Sequence, residues 1–183
     1  PAEDNKNCTT YNRSKTLAER AAWDFQAALP EEERFDIVSL NPAIIVGPAH
    51  QINDFASGVV MRDIMTGGKP CPRFRMGFVD VRDVAKAHLL AVKVDAAMNR
   101  RFLLVARCAW RRELAEFLAN EFNPKGWSVC TEEQTEGRVL DYEVNTTASR
   151  EILGLEYTPL ETSWLEMANS LIESGFIKKP LAQ

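Results

Sequence analysis

Tyr11 and Lys15, four residues apart in the run Tyr11-Asn12-Arg13-Ser14-Lys15-Thr16-Leu17-Ala18-Glu19-Arg20-Ala21-Ala22-Trp23, are the residues best suited to chemistry in this chain. On a helix that spacing stacks both side chains on one face. An ammonium beside a phenol favours the phenolate, so the hydroxyl can give or take a proton near neutral pH. The same pair also suits a surface helix whose lysine is solvated and whose tyrosine packs sideways. What surrounds the pair decides between the two.

Other chemistries find less support. Cys8, Cys71, Cys108 and Cys130 are scattered without a C-x-x-C pair, which points to free thiols in a reducing compartment rather than zinc or redox work. His50 and His88 sit in no metal-ligand pattern, and no metal is expected. His88, among Ala85, Leu89 and Val92, reads as a packed helical histidine. Asp80, Arg82 and Asp83 read as structural: Asp83 as the cap of the following helix, Arg82 as the partner of a carboxylate. Trp110, Phe117 and Trp127 suit either the core or a pocket wall.

The 183 residues are enough for one domain with a proper core. Hydrophobic residues at 45% and charged residues at 26% match ordinary globular usage. A net charge of −4 offers nucleic acid no electrostatic footprint. No apolar run approaches the roughly 18–20 residues of a membrane span. The start, Pro1-Ala2-Glu3-Asp4, has neither a signal pattern nor an initiator methionine. A processed or partial chain in the cytoplasm is the expectation.

The elements that must position Tyr11 follow from the punctuation. Thr9 or Thr10 caps a helix that runs to about Leu29 and stops before Pro30, with Leu17, Ala18, Ala21, Ala22 and Phe25 at helical spacing. Phe35 to Leu40 reads as a buried parallel strand ending at Asn41-Pro42. Pro42 to Pro48 reads as an apolar loop between breakers. A helix is expected from Phe55 to Met65, stopped by Gly67-Gly68, and an extended stretch from Arg75 to Val81. Further helices are expected over Arg82–Val94, Arg111–Phe122, Thr147–Leu153 and from Pro159 to about Gly175, with a strand over Arg101–Ala106. This alternation specifies an α/β fold. Two or three strands are too few to cover its helices, since doubly wound domains use five or more.

Four stretches in this order resemble the extended short-chain dehydrogenase/reductase family, and within it the dihydroflavonol reductase and cinnamoyl-CoA reductase-like branch. They are Tyr11 to Lys15 with Ala18-Glu19 and Ala21-Ala22-Trp23; Asn41-Pro42-Ala43-Ile44-Ile45-Val46-Gly47-Pro48; Phe78 to His88; and Leu153-Gly154-Leu155-Glu156-Tyr157-Thr158-Pro159-Leu160-Glu161. The resemblance implies the C-terminal part of a Rossmann-like doubly wound parallel sheet plus a small, mostly helical substrate-binding region. Residues 1–50 would close the dinucleotide-binding part, and residues 51–183 would interleave the substrate region with the last Rossmann elements.

The activity so implied is reduction of a small-molecule carbonyl (a ketone, an aldehyde or a flavonoid-type ketone) with NADP(H) in preference to NAD(H). Tyr11 would donate the proton to the developing alkoxide. Lys15 would hold the nicotinamide ribose and support the tyrosine. Pro42, Ala43, Ile44 and Ile45 would border the nicotinamide ring, and Ser57 would contact the cofactor. No nucleic acid or membrane partner is implied. A sugar-nucleotide epimerase of the same superfamily is disfavoured by the Tyr157 to Glu161 stretch.

The sequence departs from the family in three respects. The glycine-rich turn, the residues that read the ribose 2′ group and the family's catalytic serine would all lie upstream of Pro1. Ser14 lies inside the Tyr–Lys motif and cannot replace that serine. A chain so constituted should bind a dinucleotide weakly by itself and expose apolar faces. The rival expectation is a catalytically silent fragment or pseudoenzyme that serves as a binding or scaffolding domain.

Overall fold

The computed structural model describes residues 8–50, 55–67, 70–137 and 139–179. The polar start Pro1–Asp4 and Gly68 of the expected helix stop lie outside them. Helices are α1 (Thr10–Ala28), α2 (Ala56–Met65), α3 (Val81–Lys93), α4 (Arg111–Phe122), α5 (Thr147–Glu151) and α6 (Leu160–Glu173). Strands are β1 (Val38–Pro42), β2 (Ile44–Val46), β3 (Arg75–Asp80), β4 (Arg100–Leu104) and β5 (Arg107–Trp110). Parallel β1–β4 and β2–β3 pairs, flanked by helices, make this an α/β fold, with β5 added antiparallel to β3.

The strand expected over Phe35–Leu40 begins three residues later, and the cause is local. Asn99, at φ 56°, uses its side-chain oxygen to accept from the Ile37 N–H, and its amide donates to Asp36. Ladder pairing therefore starts at Val38 opposite Arg100. At the far end, Pro42 is the last ladder residue, opposite Leu104, and its nitrogen faces away from β4, where the lack of an N–H costs no ladder bond. The Ala43 N–H donates to the Leu104 carbonyl at 3.1 Å, and the chain then changes partner from β4 to β3. The segment expected to be a loop thus contains a three-residue strand, Ile44–Val46, lying beside Phe78–Asp80. β5 was not expected at all; Arg107-Cys108-Ala109-Trp110 is short and has no alternation to signal it.

Two apolar clusters pack around these strands. One, between β2, β3 and β5 and helices α2, α4 and α6, includes Met61, Met65, Phe78, Leu114, Leu118, Trp164 and Leu171. Phe78 and Trp164 meet edge to face, with ring centroids 5.5 Å apart. The other, behind β1 and β4, is built from Val79, Ala87, Phe102, Leu104, Leu153 and Leu155. Trp127 is buried, Phe117 packs on Trp164 and Trp110 is half-buried.

Asp80, at the end of β3, joins these layers. Its side chain is fully buried and caps α3 by accepting from the Arg82 N–H at 2.8 Å. Asp80, not Asp83, therefore caps this helix. Arg82 Nε and Nη2 each donate to Asp80 at 2.8 Å, and the Ser163 hydroxyl of α6 donates at 2.6 Å. Burial works against the Asp80 anion, but the Arg82 and Ser163 hydrogen bonds prevail and hold its carboxyl below the usual range. Arg82 also pairs with Glu166 of α6 at 2.7 Å.

Asp83 has a different task. Its carboxylate accepts from the Thr158 N–H and hydroxyl at 2.8 and 2.9 Å, which ties the closing segment to α3. His88 differs from the expectation too. It is exposed on α3, its Nδ1 2.8 Å from the Val84 carbonyl, because the face that meets β1 and β3 is carried by Val84 and Ala87.

Asp80 is fully buried while Arg82 is half-exposed, so removing the carboxylate strands its donors rather than a buried charge. Asp80→Ala is expected to destabilise the fold by about 2–4 kcal/mol in urea denaturation, from the lost helix cap and the unpaired Ser163 hydroxyl. A loss below about 1 kcal/mol, the range of an exposed pair, would refute the central role given to this carboxylate.

Candidate active site

The helix that carries Tyr11 is held in an unusual way. Thr9 caps α1 by accepting from the Asn12 N–H at 3.1 Å, and the helix stops at Leu29 before Pro30. None of its residues is buried: Tyr11 is 69% exposed, Phe25 61% and Leu17 44%. The expected apolar stripe therefore exists but faces outward in this chain. Polar contacts anchor the helix instead. Arg101 of β4 grips Glu19 through two hydrogen bonds of 2.9 and 3.1 Å, and Gln26 donates to the Phe35 carbonyl at 2.9 Å. Chiefly through Arg101, the Glu19 carboxyl is lowered to about 2.

So placed, Tyr11 opens onto a cleft of about 560 Å³. Pro42, Ala43, Ile44 and Ile45, where the chain changes partner, form one part of its wall, and Ala56, Ser57 and Val60 of α2 form another. Met76 and Gly77 of β3 also line it, together with Tyr142. Gly77 lets the strands close up here, because a Cβ at this position would stand 3.0 Å from Ala43 Cβ. The Lys15 ammonium lies over the Tyr11 ring, 5.6 Å from its centroid, and takes no part in the cleft wall. Thus Tyr11, Pro42, Ala43, Ile44, Ile45 and Ser57 come together, with Lys15 one helical turn behind.

Ile45 and Ser57 also border a second cavity of about 320 Å³, which continues past Gly47, Pro48, His50 and Met167. Gly47 permits that turn. Its φ is 109°, and a Cβ there would lie 2.8 Å from Asp80 Oδ2. The Ser14 hydroxyl donates to the Tyr11 carbonyl of its own helix at 2.8 Å and is directed to the backbone, not the cleft.

Sequence reasoning missed Val60, Met76 and Tyr142. Val60 and Met76 lie inside an ordinary apolar helix and strand. Tyr142 lies in an irregular segment that carries no periodic signal. Conversely, none of Trp110, Phe117 and Trp127 reaches this cleft.

Comparison with known proteins follows the same lines. Residues 1–104 match the model of the NAD dependent epimerase/dehydratase family. Cinnamoyl-CoA reductase CAD2 of Medicago truncatula is 37% identical over 168 residues, covering 91% of this chain and 49% of that protein. Gre2 of Candida albicans in complex with NADPH superimposes with a TM-score of 0.75 at 27% identity, over 90% of this chain and 51% of that one. The yeast methylglyoxal/isovaleraldehyde reductase Gre2 complexed with NADPH gives 0.76 at 25% identity, over 97% and 56%. The chain spans about half the length of the curated relatives it matches.

The Glu19 carboxylate makes the tether acid-sensitive. Its folded-state value of about 2 lies below the ordinary 4.5, so its contribution is complete above about pH 4.5 and disappears as the pH falls toward 2. Amide exchange of α1, corrected for intrinsic rates, is expected to accelerate across that window, and Arg101→Met should show the faster exchange already at neutral pH. Exchange of α1 that ignores both changes would contradict the tether.

Proposed function

Because the chain belongs to the NAD dependent epimerase/dehydratase family, the extended short-chain dehydrogenase/reductases, we propose that the Tyr11 cleft is the nicotinamide and substrate site of an NADPH-dependent carbonyl reductase. One observation carries this reading: Tyr11, the Pro42–Ile45 segment and Ser57, distant in sequence, line a single apolar cleft. Its walls suit a flat nicotinamide ring, and Gly77 leaves room at its floor. The solved relatives complexed with NADPH favour the phosphorylated cofactor.

When bound, the cofactor supplies a hydride to the carbonyl carbon. The protein's part is to handle the charge that then develops on oxygen. The Tyr11 hydroxyl donates its proton to that oxygen, an interaction that strengthens only as the transition state forms. The Lys15 ammonium, one turn behind Tyr11 and 5.6 Å from its ring centroid, would hold the ribose hydroxyls. Pro42 to Ile45 border the ring with apolar atoms and keep water away from the reacting face. Ser57, in the first turn of α2, would offer its hydroxyl to the cofactor.

The adenosine and pyrophosphate contacts of such an enzyme belong to a part that these residues do not supply. The outward apolar side chains of α1, Leu17 and Phe25, suit burial against that part. That same exposure favours, as a second reading, a chain that binds another polypeptide and does no chemistry alone. Assayed in the intact reductase, Tyr11→Phe is expected to lower kcat by about a hundredfold or more, the usual contribution of a positioned proton donor. NADPH affinity should change little with Tyr11→Phe and fall with Lys15→Met. Full ketone reduction by Tyr11→Phe would sink the catalytic reading, and chain-only association without reductase activity would favour the second.

A further inference from the structure

The segment from Val139 to Glu143 has no regular structure beyond Leu140, yet it delivers an aromatic ring to the cleft. Its attachment begins as a strand would. Leu140 bridges Phe74 in parallel, the Arg75 N–H donates to the Leu140 carbonyl at 2.9 Å, and the Leu140 N–H donates to the Arg73 carbonyl at 3.0 Å. After Leu140 the link passes to one side chain. Arg75 Nη1 meets Asp141 Oδ1 at 3.1 Å and Glu143 Oε1 at 2.5 Å, while Nη2 donates to the Cys108 carbonyl of β5 at 3.3 Å.

Asp141 and Glu143 both meet Arg75, while Tyr142 between them lines the cleft that contains Tyr11. Met76 and Gly77, the residues after Arg75 on β3, also line the cleft. One strand therefore supplies both the clasp and part of the site wall.

We propose that Arg75 is a positioning residue of this site: by clasping Asp141 and Glu143 it seats the Tyr142 ring as a wall for the flat apolar part of the carbonyl substrate. The substrate role rests on the reductase reading; the clasp does not. Each carboxylate is exposed and would be worth little as an isolated pair. A single guanidinium that holds both, braced by a backbone carbonyl, fixes geometry as well as charge. A ring held before the substrate arrives need not be ordered at the moment of binding.

The clasp is tested without catalysis, by 15N relaxation of the intact protein. Arg75→Met should drop the backbone order parameters of Asp141–Glu143 from rigid values of about 0.85 to below about 0.6, with Leu140, which keeps its own backbone acceptor, changing little. The surface double variant Asp141→Asn, Glu143→Gln should reproduce this and keeps the test available if Arg75→Met does not fold. Unaltered order parameters in the double variant would overturn the clasp.

The substrate role is tested by steady-state reduction of an aryl ketone such as acetophenone. Arg75→Met should raise KM about fivefold or more with kcat within about twofold, and Arg75→Lys should recover part of that loss. Added to Tyr142→Ala, Arg75→Met should raise KM by less than about twofold more, because both changes remove the same wall. Full additivity of the two KM effects would overturn the positioning role even where the clasp is real. A wild-type protein that reduces no ketone would remove the reductase reading and this substrate role together, and the relaxation data would then judge the clasp alone.

Discussion

A carboxylate with no exposure to water is the constraint on which this fold turns. Asp80 ends β3, caps α3, pairs with Arg82 and receives the Ser163 hydroxyl of α6. A buried charge is tolerated only when its lone pairs are occupied by good donors. Each donor comes from a defined place, so satisfying Asp80 fixes the start of α3 and the approach of α6 to the sheet. The Gly47 turn passes so close to the same carboxylate that no Cβ fits. Since Gly47 closes β2, this contact also sets where the Pro42–Ile45 segment lies.

The cleft is built from a second constraint, the change of strand partner at Ala43. Pro42 is the last residue paired with β4, the Ala43 N–H makes the final bond to Leu104, and Ile44 begins the pairing with β3. A segment in transit between partners presents its apolar side chains to a cavity rather than to a neighbouring strand. Tyr11 reaches the same cavity from a helix whose attachment is polar, through Glu19–Arg101 and Gln26. The site thus joins a rigid wall, set by the sheet, to a helix whose apolar side chains remain exposed.

Much of this was legible in the sequence, because its signals are local. Thr9 and Pro30 delimit α1, and Asn123-Pro124 follows α4. The residues assigned to the cofactor cleft from resemblance are brought together, apart from Lys15, which stands behind Tyr11. What was missed depends on partners remote in sequence. Asp80 and Asp83 are three residues apart and both acidic; the helix start at Val81 makes Asp80 the cap, and the remote Thr158 is what Asp83 ties. β5 is defined by β3 opposite it, and the start of β1 by the side chain of Asn99. Tyr142 is set in the cleft by a register that begins at Phe74 and Leu140, 66 positions apart by number, and no periodicity within residues 139–143 announces it.

The central claim is that the Tyr11 cleft receives the nicotinamide and the carbonyl. A crystal structure of the intact protein with NADP+ and a ketone tests it most directly. The account predicts the nicotinamide ring against Pro42–Ile45, the ribose hydroxyls within reach of Lys15, and the ketone oxygen within hydrogen-bonding distance of the Tyr11 hydroxyl. A nicotinamide seated elsewhere, with the Tyr11 cleft empty or filled by another segment of the protein, would contradict it.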